Sequence, residues 1–406
     1  RGIERIGGFG GKADVLAECT VFTGDPGCYR NDLAALEAAT PTSVQAVGKR
    51  WLAQGDLTLL VTPGDRPALV EDKSTAREGY VSPPIPAVDP KFTTTASTVD
   101  RSKGPPMPDT FPDLSFPALQ RATLSNGMKV VLAERKGLPV VQMSMEFPGG
   151  FAADQGRRLG TSSFTMGMLD EGAGDLDALQ FGDRAESLGA QLGAGASIDG
   201  GNAFLSALTE NLDASIALYA DMIQRPRFAE ADVERVRATW LATIKQEKAR
   251  PNSLANRLLP PLMYGADHPY GIPFTGTGTE ASIAALTVDE MRAYHRDLVR
   301  PDNATLIIVG DTTLAAITPL LEKHFGGWAA PSTPIPRPSI AEVELPKQPR
   351  VFLVDQPGAI QATILAGQLA PPTGDARSVE FDIANSVLGG EFSSRLNMNL
   401  REEKSW

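Results

Sequence analysis

Two stretches dense in proline cut this chain into pieces. Proline fixes φ and removes a backbone donor, so neither stretch can lie inside a helix or a central strand. Residues 64–118 hold 10 of the 32 prolines and residues 331–349 hold 6. Both read as extended linkers. They leave a piece at 1–63, a body at about 119–330 and a third unit at 350–406. A chain of 406 residues with 42% hydrophobic and 21% charged side chains can bury sizeable cores in two to four domains.

Charge and hydropathy exclude several function classes. A net charge of -11 argues against a nucleic-acid partner, which needs a clustered basic face. No apolar run approaches the roughly 18 residues of a membrane span. Cys19 and Cys28 are too few for a disulfide framework. They could pair with each other, but two buried thiols is the preferred reading, and the redox compartment stays open. The chain starts at Arg1 and stops at "NLREEKSW", a charged, helix-like run with no Gly or Pro stop signal. It therefore reads as a fragment, with any targeting peptide outside it.

The body opens with "TLSNGMKVVLAE", where Asn126-Gly127 between two strand-like runs signals a hairpin. Residues 140–147, "VVQMSMEF", alternate with period two, as a half-buried strand should. Helical spacing puts Phe181, Ala185 and Leu188 on one face of a segment stopped by Gly189. A second helix starts at an Asn211 cap with Leu212, Ile216, Tyr219 and Ile223 in one stripe. A third aligns Val233, Val236, Trp240 and Ile244. "ATLIIVGD" at 304–311 reads as a buried strand. The expected class is α+β, its sheets covered by helices on one face.

The chain also repeats itself. "TPTSVQAVGKRWLAQGDLTLLVTPGD" from Thr40 lines up on "TVDEMRAYHRDLVRPDNATLIIVGD" from Thr287, 247 residues later. Each reads as a cap, a helix, a polar turn and an apolar strand. The 1–63 piece thus looks like the tail of an earlier copy of the same unit.

These blocks, with "SLGAQLGAGASIDG", "DHPYGIPFTGT" and "GGEFSSRLNMNLREEKSW", occur in an order that resembles the insulinase/pitrilysin family of zinc peptidases, the inverzincins. The resemblance covers essentially the whole chain. It implies two homologous halves, each of two α+β domains, closing around a peptide or unfolded polypeptide. In this chain, 119–330 would be the first domain of the second half and 350–406 the start of its second domain.

The family's active half carries H-x-x-E-H on a helix, two imidazoles on one face holding Zn²⁺ and a Glu serving as general base. Here "GTSSFTMGMLDEG" (160–172) matches the frame, with Ser163, Met166 and Gly167 at those positions. The distant Glu that completes the ligand set falls near Thr243. Two hydroxyls, a thioether and a missing side chain cannot replace two imidazoles and two carboxylates in these roles, so this half is expected to hold no metal. His268, His295 and His324 lie far apart, no two on one helical turn, and read as structural. Ser163 lacks the G-x-S-x-G elbow and a local His base, which argues against it as an independent nucleophile. No Lys-Ser/Thr follows the glycines of 187–204 as a phosphate loop requires; they read as strand edges beside a chamber.

The resemblance implies one catalytic contribution. On the final helix the family places an Arg, and seven residues later a Tyr, that hold the scissile carbonyl at the other half's zinc. Arg401 matches that Arg; the Tyr position lies beyond residue 406. The complete protein would be a zinc metalloendopeptidase. Its Zn²⁺ would sit in an upstream half in the same chain or in a partner subunit, with no cofactor here and this fragment inactive alone. Periplasmic or secreted placement is favoured by the resemblance only. The second reading is a non-catalytic structural or binding subunit, as among the family's relatives in processing and respiratory assemblies.

Overall fold

The first surprise lies between the two cysteines. In the structure, a computed structural model, helix α1 (Gly11–Thr23) ends at Gly24, whose φ of +75° closes the turn. Helix α2 (Cys28–Glu37) follows after four residues. That tight return brings the Cα atoms of Cys19 and Cys28 to 5.4 Å, and the two sulfurs are bonded. The expectation of two buried thiols is thereby corrected: the geometry suits a bridge.

The structure describes residues 10–53, 55–62 and 115–406 except 360, with isolated positions between 64 and 113. The 64–118 linker lies largely outside the described residues. Two compact units divide the chain, Gly10–Phe116 and Pro117–Trp406.

In the first unit, helix α3 (Pro41–Leu52) starts on a capping box between Thr40 and Ser43 with Pro41 in its first turn. Residues 57–62 then run extended with no strand partner among the described residues, and Leu57, Leu59, Leu60 and Val61 are all more than four-fifths exposed. Among the described residues of this unit, none supplies a sheet for that apolar run.

The second unit holds a six-stranded sheet. Its strands are β1 (Leu119–Thr123), β2 (Lys129–Glu134), β3 (Val140–Pro148), β4 (Gln191–Ala196), β5 (Gly200–Leu208) and β6 (Thr305–Gly310). The order is β1-β2-β6-β3-β5-β4. Strand β6 enters the middle, parallel to β2 and antiparallel to β3. The Asn126-Gly127 turn joins β1 to β2, and Asn126 Nδ2 donates to the carbonyls of Phe325 and Trp328, 2.9 and 3.1 Å away. The turn is thus pinned to the far end of the domain.

Alternation along the strands gives the sheet one dry face. Val130, Leu132, Met143, Met145, Phe147, Leu205, Leu306 and Ile308 are buried, while Gln142, Phe204, Ile307 and Val309 point to the other, open side. The helices on the dry face are α4 (Thr161–Met166), α5 (Ala178–Ser187), α6 (Leu212–Gln224), α7 (Glu230–Ala249), α9 (Glu280–Ala284), α10 (Val288–Leu298) and α11 (Leu314–Phe325), while α8 (Pro251–Tyr264) packs on α7. The α6 stripe Leu212, Ile216, Tyr219 and Ile223 is fully buried, and Tyr219 donates its hydroxyl to Ala203 O at 2.6 Å. A phenol can enter a core only with such a partner. Asn211 does not cap α6 with its side chain, contrary to expectation. A short 3₁₀ turn precedes the helix, and Asn211 Nδ2 donates to Leu188 O instead.

The proline-rich 331–349 stretch has no helix or strand but is not loose. Buried Arg300 donates to Pro331 O and Thr333 O, both at 2.8 Å, and Arg337 donates to Asn303 Oδ1 at 2.9 Å. Beyond it come α12 (Ser378–Asn385) and α13 (Arg395–Asn397), each leading into a π-helical segment, Ser386–Gly390 and Met398–Glu403. Val351, Leu353 and Ile364 are about nine-tenths exposed.

Because the sheet core is complete within 119–325, deleting residues 1–100 is expected to leave its unfolding midpoint nearly unchanged. Calorimetry of the truncated protein checks this, and a fall of ten degrees would show a shared core.

Candidate functional site

The helix that would carry a metal motif is α4, and it is anchored from below. Buried Asp154 accepts the backbone N–H groups of Gly160 at 2.7 Å and Ser162 at 3.0 Å, satisfying donors that the first turn leaves open. Its Oδ1 also lies 2.5 Å from Ser162 Oγ, which reaches Gly150 O at 2.8 Å. One hydroxyl has one proton for two acceptors, so both contacts are hydrogen bonds only if Asp154 is itself protonated. Burial pushes the Asp154 carboxyl up to about 6 against the pull of these hydrogen bonds and of Arg157.

That shift has a sign. A carboxyl whose folded pKa is raised adds stability that is fully present below about pH 4 and is lost as pH rises through about 6. Wild type measured relative to Asp154→Asn should therefore lose about 2 kcal/mol between pH 4 and pH 7. Urea titrations of both proteins across that range test it; a constant difference would refute it.

Around this anchor the motif positions are packed. Ser163 Oγ is buried without a hydrogen-bond partner among the described residues. A Cβ placed on Gly276 would stand 2.8 Å from it, so the 273–279 loop lies directly on Ser163. Met166 is fully buried with its thioether against Gly201 of β5. Gly167 closes α4, its N–H bonded to Ser163 O, and a Cβ there would lie 3.7 Å from the Trp240 ring. Ser163, Met166 and Gly167 are thus brought together on one turn. Thr243 is not: it is exposed on α7, its hydroxyl returned to Thr239 O at 3.1 Å. Trp240, one turn earlier, faces α4 edge-on to Phe164 with ring centres 5.3 Å apart. Its Nε1 donates to Thr277 O at 3.0 Å.

A second buried group stands beside this cluster. Arg257 Nη1 donates to Glu247 Oε2 at 2.6 Å, with side chains only 6% and 14% exposed. The same nitrogen reaches Thr277 Oγ1 at 2.8 Å and Thr275 Oγ1 at 3.2 Å, and Nη2 holds Gly278 O. Neither this pair nor Asp154 carries a spacing signal: Glu247 and Arg257 lie on different helices, either side of Arg250-Pro251.

The histidines are each occupied elsewhere. His268 Nδ1 accepts Tyr270 N–H at 3.0 Å, leaving Nε2 to donate to Ala341 O. The His295 ring packs edge-on to Phe228, Nε2 lies 2.7 Å from Ile223 O, and burial lowers its pKa. His324 Nε2 meets Asp213 Oδ1 at 2.7 Å. Among the described residues no three His, Cys, Asp or Glu side chains are grouped to hold a metal ion. No described helix is long and apolar enough to cross a membrane. Arg401 sits exposed in the final π-helical segment, its guanidinium 4.6 Å from the Phe392 ring centre and 3.6 Å from Glu402.

The glycine-rich 187–204 stretch forms the hairpin β4–β5, and β4 is the edge of the sheet. On the open face, Gln142, Ser144, Gln191, Phe204, Ile307 and Val309 line an uncharged groove of about 410 Å³.

The fold is an α+β domain with its helices packed on one face of a six-stranded sheet, and comparison with known proteins gives its family. Residues 129–277 match the family described as Insulinase (Peptidase family M16), and residues 285–406 match the Peptidase M16 inactive domain. The chain belongs to the M16 insulinase family. The boundary between the two matches cuts through the body, since β6 at 305–310 completes the middle of its sheet. The chain is 25% identical over 286 residues to the uncharacterized zinc protease YmxG of Bacillus subtilis, a match spanning 70% of this chain and 68% of that protein. An uncharacterized zinc protease of Mycobacterium leprae is 24% identical, and the chain spans 63% of its length. The non-peptidase homolog YmxG of Helicobacter pylori is 23% identical over 45% of this chain and 41% of its own. The fold is shared with the peptidase M16 inactive domain from Pseudomonas fluorescens, at TM-score 0.59 and 24% identity over 71% of this chain and 68% of that one. A protease from Helicobacter pylori matches at TM-score 0.58 and 21% identity over 71% and 70%.

Proposed function

We propose that this chain supplies the non-zinc half of a two-half zinc metallopeptidase whose Zn²⁺ and general base lie in an upstream half. Residues 1–63 are then the tail of that half, 64–118 and 331–349 the connectors, and 119–330 with 350–406 the second half. The observation that supports the reading is α4, a buried helix that brings Ser163, Met166 and Gly167 onto one turn, where the resemblance puts ligands and base. Zinc needs deprotonated nitrogen, sulfur or carboxylate donors in tetrahedral array, and these residues do not fit it. The open sheet face, with its uncharged groove, suits the wall of a chamber for peptides or unfolded segments. Arg401 is the residue proposed to reach the scissile carbonyl from this half. The Cys19–Cys28 bridge supports an oxidising compartment, periplasmic or extracellular, over the cytoplasm.

Metal analysis of the dialysed chain tests the central claim. Well under one zinc per chain is expected, and one tightly held zinc would sink it. The second reading, a structural or binding subunit, is supported by the relative named a non-peptidase homolog. It becomes the better one if the upstream half also lacks H-x-x-E-H.

A further inference from the structure

The space around Ser163, Met166 and Gly167, where a metal and its ligands would have to sit, is filled. Three elements occupy it. The Trp240 ring covers Gly167 and Phe164 from α7. Met166 turns its thioether down onto Gly201 of β5, where a carboxylate would be buried against backbone. The 273–279 loop lies on Ser163, and its fit depends on glycine. Gly276 and Gly278 have φ of +66° and +73°, and a Cβ on Gly160 would stand 3.0 Å from Gly278 Cα. No side chain but hydrogen could pass at those points.

This loop is also fastened. Thr277 is held through its carbonyl by Trp240 Nε1 and through its hydroxyl by both Arg257 and Glu247. Thr275 bonds to Thr277 and to Arg257. Arg257 also takes the carbonyl of Gly278. One buried ion pair therefore binds three consecutive or near-consecutive residues of the loop that closes the site. Ser163 Oγ, left without a partner beneath it, is the polar remnant.

We propose that the 275–278 loop is a plug, and the Arg257–Glu247 pair its latch, which together convert this half's metal site into a packed core that zinc cannot enter even when its ligands are restored. The inference goes beyond the absence of ligands. A site that has merely lost them would regain zinc on reversion, whereas a plugged one lacks both the room and the entry path that binding requires. It holds whether or not the complete protein is a peptidase.

Two kinds of variant of the full chain test it. In the first, Ser163→His, Met166→Glu and Gly167→His are combined with either Thr243→Glu or Trp240→Glu. After equilibration with zinc chloride and dialysis, less than a tenth of a zinc per chain is expected in each, with no rise in melting temperature on adding zinc. The second is Ser163→His alone, which must force an imidazole into the plug. It is expected to lower the melting temperature by several degrees, on the order of 5 °C, the usual result of overpacking a core in a domain of this size. Stoichiometric zinc in a combined variant would overturn the inference, as would an unchanged melting temperature for Ser163→His. The single variant decides the matter if the combined ones do not fold. Zinc in the wild-type chain would instead defeat the functional reading above, so the two failures are distinguishable.

Discussion

Replacing Arg401 by alanine in the complete two-half protein is expected to lower turnover about a hundredfold, the usual scale for losing one donor to a developing oxyanion. A guanidinium stays charged and presents several donors in a fixed fork, which suits negative charge that appears only in the transition state. Such a group affects kcat more than KM. The side chain is available for this: it is exposed, its flank rests on the Phe392 ring, and its ion-pair contact among the described residues is with exposed Glu402 at 3.6 Å. A surface pair of that kind contributes little to stability, so folding and zinc content should not change. Arg395→Ala is the control. Arg395 lies six residues earlier, in α13, and its variant should stay within a few-fold of wild type. Full turnover in Arg401→Ala, or equal damage from Arg395→Ala, would return Arg401 to an ordinary solvated position.

The other large effect is expected on stability. Arg257→Met should destabilise the body by about 3–5 kcal/mol, because it leaves the Glu247 carboxylate buried without its counter-ion. Thr277 would still donate to Glu247 at 2.7 Å, but a single hydroxyl does not offset a buried charge. For a domain of roughly 200 residues this is a fall of about 10 °C in melting temperature. The double variant Arg257→Met, Glu247→Leu removes both charges and should recover more than half of the loss. Scanning calorimetry of the three proteins decides it. If the double variant is as unstable as the single one, the damage comes from lost packing and the pair is not the cause.

The Arg257–Glu247 pair also shows where reading the chain runs out. What is periodic or local along the chain was legible in it. The capping box at Thr287 with Glu290, and that at Thr40 with Ser43, start the helices that the internal repeat implies. Alternation at 140–147 matches β3, and the 212–223 stripe is the buried face of α6. Side chains at spacings of two, or of three and four, must share a face, so these features follow from backbone geometry alone. The same logic holds for Ser163 and Gly167, which lie one turn apart whatever packs on them. It also matched the family, whose blocks keep their order.

What meets across the fold was decided only by tertiary structure. The repeat made residues 57–62 and 305–310 look alike, yet 305–310 lies between β2 and β3 while 57–62 stands without a strand partner among the described residues. A strand's hydrogen bonds are made by its neighbours, and nothing in its own residues supplies them. Spacing placed the distant ligand near Thr243, but the crossing of α7 over α4 presents Trp240 there. Cys19 and Cys28 read as thiols until the turn at Gly24 set their separation. Nothing local in the chain singles out Asp154, and only its burial beneath α4 raises its pKa. In each case the deciding quantity is a distance between residues remote in the chain, or the water they lose on meeting. Local sequence determines which faces exist; packing determines what they face.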